Sequence, residues 1–245
     1  MLYLGKPVDQ PQRDNTRNRA DFFQKQAAET RDLRLKRYYQ AGIVAPETPI
    51  GDVPLLAMDF ETTGLDPKQN GIVSIGLVPM RLDRIQCHQI HYWILKPRFN
   101  LRHDSIVIHG ITHSAVADAP DLLSILDTLL QQMAGHVMVV HHAGIERQFL
   151  DAALKARIGE GIHFPVIDTM SLEARLYRHG APSFWQKLLG QPKTSIRLAD
   201  SRTRYGLPHY RPHHAVTDAL ACAELLQAQV AHRFAWSTPI SELWD

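Results

Sequence analysis

Cysteine is almost absent from this sequence, and long apolar runs are missing altogether. Only Cys87 and Cys222 occur among 245 residues, far apart and without the paired spacing of a zinc site. This excludes a disulfide framework and indicates a reducing compartment. No apolar run approaches transmembrane length, and the segment after Met1 becomes polar too soon for a signal peptide. We therefore expect a cytoplasmic protein with no membrane partner.

The net charge of +2 is unevenly distributed along the chain. Residues 171–211 contain two acidic and eight basic residues, interleaved with aromatic ones. The basic residues are Arg175, Arg178, Lys187, Lys193, Arg197, Arg202, Arg204 and Arg211. Such a mixture suits a flexible nucleic-acid strand, because cations follow phosphates and rings stack on bases. A solvated region whose aromatic rings belong to the core explains the same pattern, so both interpretations stay open.

Length and composition predict one sizeable α/β domain with an appendage, since 44% of the 245 residues are hydrophobic. Helical spacing of apolar residues over 17–41, followed by several prolines, indicates a helical basic arm and a linker. The predicted divisions are an arm over 1–51, a main domain over 52–232 and a short tail over 233–245.

Three strands are predicted at about 53–61, 71–80 and 86–96. The connections between them are short, which favours antiparallel pairing.

The pattern then changes to alternating helices and strands. Leucines at helical spacing over 122–133 precede the apolar run 137–140, and a helix near 145–157 precedes the run 164–167. This order implies parallel strands joined by crossovers. We predict a mixed sheet of about five strands with helices on both faces, completed by a long helix with apolar residues over 215–230.

Two carboxylates follow the first buried strand. Asp59 and Glu61 alternate with Phe60, so both point to one side of the strand. Carboxylates that converge at the end of a buried strand repel each other and lose solvation, which a divalent cation relieves. A solvated acidic turn before Gly64 is the alternative for this pair taken alone.

A histidine and a third acid lie near the end of the chain. Pro212 suits the first turn of a helix, which would place His213 at its start and Asp218 inside it. Five residues along a helix would put the two on different faces, so we expect His213 to project from the entry loop and Asp218 to point at the sheet. A helix packed on the first strand could bring Asp218 to Asp59 and Glu61. The histidine at the rim could act as a general base, because its pKa lies near working pH.

These segments in this order resemble the DEDD exonucleases with a catalytic histidine (DEDDh), a group that includes the epsilon subunit of bacterial DNA polymerase III and ribonuclease T. The matching segments are Asp59–Gly64, the helix start at His142–Glu146 and His213–Asp218, together with His109–Thr112 and Asp168-Thr169. The resemblance covers roughly residues 53–231 and implies a ribonuclease H-like fold.

The resemblance also implies roles for individual residues. Asp59 would touch both of two divalent cations, Mg²⁺ or Mn²⁺, while Glu61 and Asp218 would hold the ion nearer the attacking water. His213 would deprotonate that water, and Glu146 would fill the remaining acidic position. Substrate contacts are implied at Phe60, Thr62, Thr63, Leu65 and His109.

The chain departs from the family pattern at the second acidic segment. His142 replaces the usual Asn, Ile145 the usual Phe and Glu146 the usual Asp. Glutamate keeps the charge but is one methylene longer, and an acid at a helix start is also favoured by the helix dipole.

The expected activity is removal of 5′-mononucleotides from the 3′ end of single-stranded nucleic acid, with DNA favoured. Three alternatives remain: an RNA-trimming exoribonuclease, a catalytically impaired nucleic-acid-binding module, and a zinc hydrolase built from His141, His142, His213 and His214. The sequence does not distinguish a monomer from a homodimer.

Overall fold

A central β-sheet organises the structure, a computed structural model that describes residues 19–99, 110–177 and 194–244. Its strands are β1 (Leu55–Thr62), β2 (Ile72–Arg81), β3 (Arg84–Ile85), β4 (His91–Ile94), β5 (Val137–Val140) and β6 (Val166–Asp168). The sheet order is β3-β2-β1-β5-β6, and β4 also pairs with β2. The β1–β2 pair is antiparallel, whereas β1–β5 and β5–β6 are parallel, which confirms the predicted mixed sheet.

Eight helices occur within the described ranges. They are α1 (Arg19–Glu29), α2 (Leu33–Gln40), α3 (His113–Ala117), α4 (Leu122–Met133), α5 (Ala143–Ile158), α6 (Thr169–Tyr177), α7 (Leu198–Arg204) and α8 (Ala215–Arg233). None of the helices in these ranges is both long and apolar enough to cross a bilayer.

The two faces of the sheet build two separate cores, because neighbouring side chains of a strand point in opposite directions. Met58 and Phe60 of β1 contribute to a core with α1, α2, α4 and α5. Leu55 and Ala57 of the same strand contribute to a second core with α6, α8 and the tail. All four of these side chains are at most 5% exposed, so β1 is buried on both faces as its apolar run predicts.

The sheet has six strands rather than about five, because the two-residue strand β3 precedes the strand predicted over 86–96, of which only β4 is formed. A 3₁₀ turn over Cys87–Gln89 separates β3 from β4. Both short strands pair with β2, at Met80–Arg81 and at Ser74–Leu77 respectively.

The helix predicted over 17–41 is divided into α1 and α2. Asp32 caps the start of α2, because its side chain accepts hydrogen bonds from the N–H groups of Arg34 and Leu35 at 2.9 and 3.4 Å. Glu160 accepts the backbone N–H groups of Arg31 and Asp32 at 2.9 and 2.7 Å. The break therefore ties the arm to the loop after α5.

The two flanks of the chain meet each other. Pro49 and Pro239 form an isolated antiparallel bridge. The Ile50 N–H donates to the carbonyl of Thr238 at 2.8 Å, and the Ile240 N–H donates to that of Thr48 at 2.9 Å. The described parts of the arm and the tail are thus packed against the sheet and against each other.

Candidate active site

The first two site carboxylates leave β1 on the same face. Glu61 is buried, at 5% exposed, while Asp59 is half-buried. The intervening Phe60 points into the opposite core, also at 5% exposed. The alternation predicted from the sequence therefore holds, and the β1 carboxylates face α8.

A glycine allows α8 to approach these carboxylates closely. Gly76 of β2 is the direct cross-strand partner of Asp59. A Cβ built on Gly76 would lie 2.4 Å from the carbonyl carbon of Ala215 and 2.5 Å from the nitrogen of Val216. Any larger residue would push the start of α8 away, so Gly76 sets the distance between Asp218 and β1.

His213 lies in the loop before α8, from which the sequence predicts it to project; the helix itself begins at Ala215 and not at Pro212. The backbone of His213 is left-handed, with φ of 70°. This conformation costs roughly 1–3 kcal/mol in a residue with a Cβ. It turns the His213 N–H toward Asp218, whose Oδ2 accepts it at 2.7 Å.

Three predicted site residues converge at this point. A ring nitrogen of His213 and one carboxylate oxygen from each of Glu61 and Asp218 all lie within 4.8 Å of one another. These atoms are close enough to share one metal ion, or for the imidazole to face an ion that the two carboxylates hold, beside the C-terminal end of β1. Asp59 is not part of that trio, but it is close enough for its charge to interact with both acids.

Glu146 enters the site from the other side of the sheet, in the first turn of α5. Its side chain is 3% exposed, and its Oε2 atom has no hydrogen-bond partner among the described residues. A buried carboxylate oxygen without a partner is costly, and a cation would supply the missing contact.

The electrostatics of the four acids show how closely they converge. Burial raises the pKa of Asp59 well above its usual value, and three neighbouring negative charges raise it further. In order of effect these are Glu146, Glu61 and Asp218. Burial also raises the pKa of Glu146 well above its usual value, and it raises the pKa of Asp218. Without a cation, this cluster favours bound protons.

Asp168 holds the start of α5 in place, a role that sequence reasoning did not assign. It is the last residue of β6 and is 6% exposed. Its carboxylate accepts the N–H groups of His142 and Ala143, both at 3.0 Å, and that of Met170 at 2.9 Å. His142 adopts a left-handed backbone, with φ of 102°. The sequence feature that indicated Asp168 was the match of Asp168-Thr169 to the family pattern.

The histidines outside this cluster have other partners. His141 lies between the Thr169 hydroxyl, at 2.8 Å, and the Ile196 carbonyl, at 3.0 Å. Burial lowers the pKa of His141. The ring of His214 stacks on Tyr92, with centroids 4.8 Å apart. The four histidines of the zinc-hydrolase alternative therefore do not form one ligand set.

The implied substrate contacts are distributed around the turn after β1. Leu65 is exposed at 67%, whereas Thr62 and Thr63 are buried. The Thr62 hydroxyl donates to the Gly64 carbonyl at 2.7 Å, and the Thr63 hydroxyl accepts the Gly71 N–H at 3.0 Å. Phe60 can reach a ligand in the cleft only through its backbone, and His109 lies outside the described residues.

Part of the basic segment over 171–211 is structural. Arg202 is buried, and Arg204 pairs with the buried Glu173. Arg197 and Arg211 are exposed. Residues 178–193 lie outside the described residues, so the nucleic-acid contacts predicted there are untested.

Comparison with known proteins identifies relatives of the central part of the chain. The sequence model of the exonuclease family matches residues 56–226. The DNA polymerase III PolC-type protein of Thermotoga maritima is 28% identical over 185 residues, which are 74% of this chain but 12% of that protein. The DNA polymerase III epsilon subunit of Treponema pallidum is 26% identical over 180 residues, which are 74% of this chain and 78% of the subunit.

Solved structures agree on the fold. The nuclease domain of 3′hExo, a DEDDh family member bound to rAMP, has a TM-score of 0.60 at 16% identity, covering 74% of this chain and 92% of that domain. Exonuclease X, in complex with 5′ overhanging duplex DNA, has a TM-score of 0.55 at 23% identity, covering 73% of this chain and 92% of that one.

Proposed function

This chain belongs to the exonuclease family, and we propose that it is a DEDDh-type member that removes 5′-mononucleotides from single-stranded 3′ ends, with DNA favoured over RNA. The observation that carries the proposal is the convergence of His213 with Glu61 and Asp218 within 4.8 Å, beside Asp59. We also propose that the protein is cytoplasmic.

The residues of the site fit divalent cations. Carboxylate oxygens are the ligands that Mg²⁺ and Mn²⁺ prefer, and the buried Oε2 of Glu146 has no other partner in the part of the chain that the structure describes. Asp59, Glu61 and Asp218 would hold two such ions, with Glu146 beside them. When bound, the ions would stabilise the negative charge that develops on the entering and leaving oxygens of the phosphodiester.

His213 would accept the proton of the attacking water. The residue is exposed beside the carboxylates of Glu61 and Asp218, while its backbone is fixed by the hydrogen bond to Asp218. A neutral imidazole placed in this way can add about 10²–10⁴-fold to the rate. The strained φ of 70° supports this role, because strained residues concentrate where a side chain must be held in one direction.

The exposed Leu65 and the backbone of the turn after β1 would hold the terminal nucleotide. Because the carboxylates are buried or half-buried, a phosphodiester must descend to them, which a flexible single-stranded end does more readily than a duplex. We assign none of the described residues to a ribose 2′-hydroxyl, so RNA trimming is the second outcome to test.

The direct test is digestion of end-labelled DNA and RNA oligonucleotides, side by side, with and without Mg²⁺. We expect stepwise shortening from the 3′ end with Mg²⁺ and none in excess EDTA. Faster digestion of RNA would identify an exoribonuclease, and binding without cleavage would identify an impaired module. Robust cleavage in EDTA would refute the metal-dependent mechanism.

Glu146 provides a separate test at the position where the chain departs from its family. Glu146→Gln is expected to lower kcat severely, because a charge beside the cations is lost. Glu146→Asp should be intermediate, since a misplacement of about 1 Å can cost roughly 10²-fold. Both values of kcat should be measured beside the melting temperatures.

The alternative for Glu146 gives a different pattern. If Glu146 only stabilises the start of the helix, each substitution should lower the stability by under about 1 kcal/mol and leave the rate unchanged. Full activity of Glu146→Gln would show that three acids suffice.

A further inference from the structure

A buried arginine lies behind the loop that carries His213. The Arg202 side chain is only 4% exposed. Its guanidinium donates to the carbonyl of Ala221 on α8 at 2.7 Å and to the carbonyl of Pro208 at 2.9 Å. It also forms an ion pair with Glu224 of α8, with 2.7 Å between the nitrogen and Oε2. One side chain thus connects the loop to the helix of the site.

Tyr210 completes this connection. Its ring lies against the guanidinium of Arg202, 4.6 Å from the ring centroid. Its hydroxyl donates to the other carboxylate oxygen of Glu224 at 2.8 Å. Arg202, Glu224 and Tyr210 therefore form a closed triangle of contacts, which we call the Arg202 clamp.

The loop is fixed at its other end as well. His214 stacks on Tyr92 with an interplanar angle of 25°, and α8 begins at the next residue. Only Arg211, Pro212 and His213 span the gap between Tyr210 and His214. Pro212 has a fixed φ of its own, so little freedom remains in this short bridge.

We propose that Arg202 is a positioning residue for His213, holding the loop so that the imidazole stays directed at Glu61 and Asp218. The proposal rests on the proposed role of His213 as the base. A left-handed histidine persists only where the surroundings over-determine its backbone, and the clamp and the His214 stack are two such constraints.

The clamp depends on the shape of the guanidinium. Arg202 uses two nitrogens on three acceptors while its plane covers a ring. Lysine keeps the charge but is a single ammonium without a planar fork, so it cannot reproduce this set. The Arg202→Lys variant therefore loosens the loop without removing the charge.

The chain offers a matched control. Arg157 of α5 pairs with both carboxylate oxygens of Asp121, with nitrogen–oxygen distances of 2.9 and 2.7 Å, and its side chain is 10% exposed. This pair connects α5 to the start of α4 and makes no contact with the His213 loop among the described residues. Arg157→Lys thus breaks a comparable arginine pair elsewhere.

The experiment measures kcat and KM for Arg202→Lys and Arg157→Lys, each in the wild-type and in the His213→Ala background. For Arg202→Lys in the wild-type background we expect kcat to fall about 10–100-fold with KM within about 2-fold. In the His213→Ala background the same change should cost less than about 2-fold, because its effect passes through His213. Arg157→Lys should leave kcat unchanged in both.

Two results would overturn the proposal. An unchanged kcat in Arg202→Lys would show that the clamp does not position the base, and an equal fall in both backgrounds would show that it acts on the fold. If His213→Ala alone leaves kcat intact, the base assignment fails first. Should Arg202→Lys not fold, Tyr210→Phe removes only one hydroxyl and should give a smaller fall in kcat, again absent without His213.

Discussion

Replacing Asp59 by Asn is expected to abolish cleavage and at the same time to raise the melting temperature of the metal-free protein. Activity should fall by about 10³-fold or more, because electrostatic stabilisation of developing charge is usually the largest single contribution to catalysis. Stability should rise because the amide does not repel the neighbouring acids, whereas burial and three carboxylates raise the pKa of Asp59 well above its usual value. Asp218→Asn should act in the same direction.

The stability gain has a defined pH dependence. Since the pKa of Asp59 is raised in the folded state, the folded protein holds a proton that the unfolded chain releases above about pH 4. Its contribution to stability is therefore present below pH 4 and is lost as the pH rises through the folded-state pKa. The melting temperature of Asp59→Asn should exceed that of the wild type by a margin that increases as the pH rises from 4 through the folded-state pKa.

Divalent cations should act against this difference in melting temperature. Mg²⁺ is expected to raise the melting temperature of the wild type more than that of Asp59→Asn, because only an intact site gains binding energy from the folded state. Asp83→Asn, at the exposed turn between β2 and β3, is the matched control and should change neither activity nor the response to Mg²⁺. Wild-type activity in Asp59→Asn would refute the metal-site assignment.

The second large effect is expected at His213. His213→Ala should lower kcat by about 10²–10⁴-fold while KM changes little, because the base acts in the transition state and not in binding. A general base must be neutral to accept a proton, so activity falls at low pH where the imidazole is protonated. The acid limb of the pH–rate profile should therefore disappear in the variant.

A histidine in the same loop serves as the control for this experiment. His209 is exposed four residues earlier, and His209→Ala should keep both kcat and the acid limb. An unchanged rate in His213→Ala would move the role of base to another group. His214 would then be the first candidate, although its ring is stacked on Tyr92.

The parts of the site that could be predicted are those governed by local periodicity. Asp59 and Glu61 share a face because strand side chains alternate, and the buried run before them identified the central strand. The crossover pattern predicted the parallel β5 and β6. The order of the motifs supported the family resemblance, and that resemblance predicted that His213 and Asp218 lie beside the carboxylates of β1.

The remaining features depend on contacts between distant residues, which periodicity does not encode. The break between α1 and α2 is held by Glu160, more than a hundred residues away. The anchoring of α5 by Asp168 and the clamp around Arg202 join separate elements. Arg202 looked like part of a nucleic-acid surface because a composition count cannot tell a buried arginine from an exposed one.

The bridge between Pro49 and Pro239 has a consequence for how the chain acquires its structure. It closes a loop that contains every strand of the sheet, so its entropic cost is recovered only once the intervening sheet has formed. The β1–β2 pair, in contrast, joins near neighbours in the chain and can form early. We therefore expect the β1–β2 pair to form early and the joining of the two flanks to come last, after the sheet between them has formed.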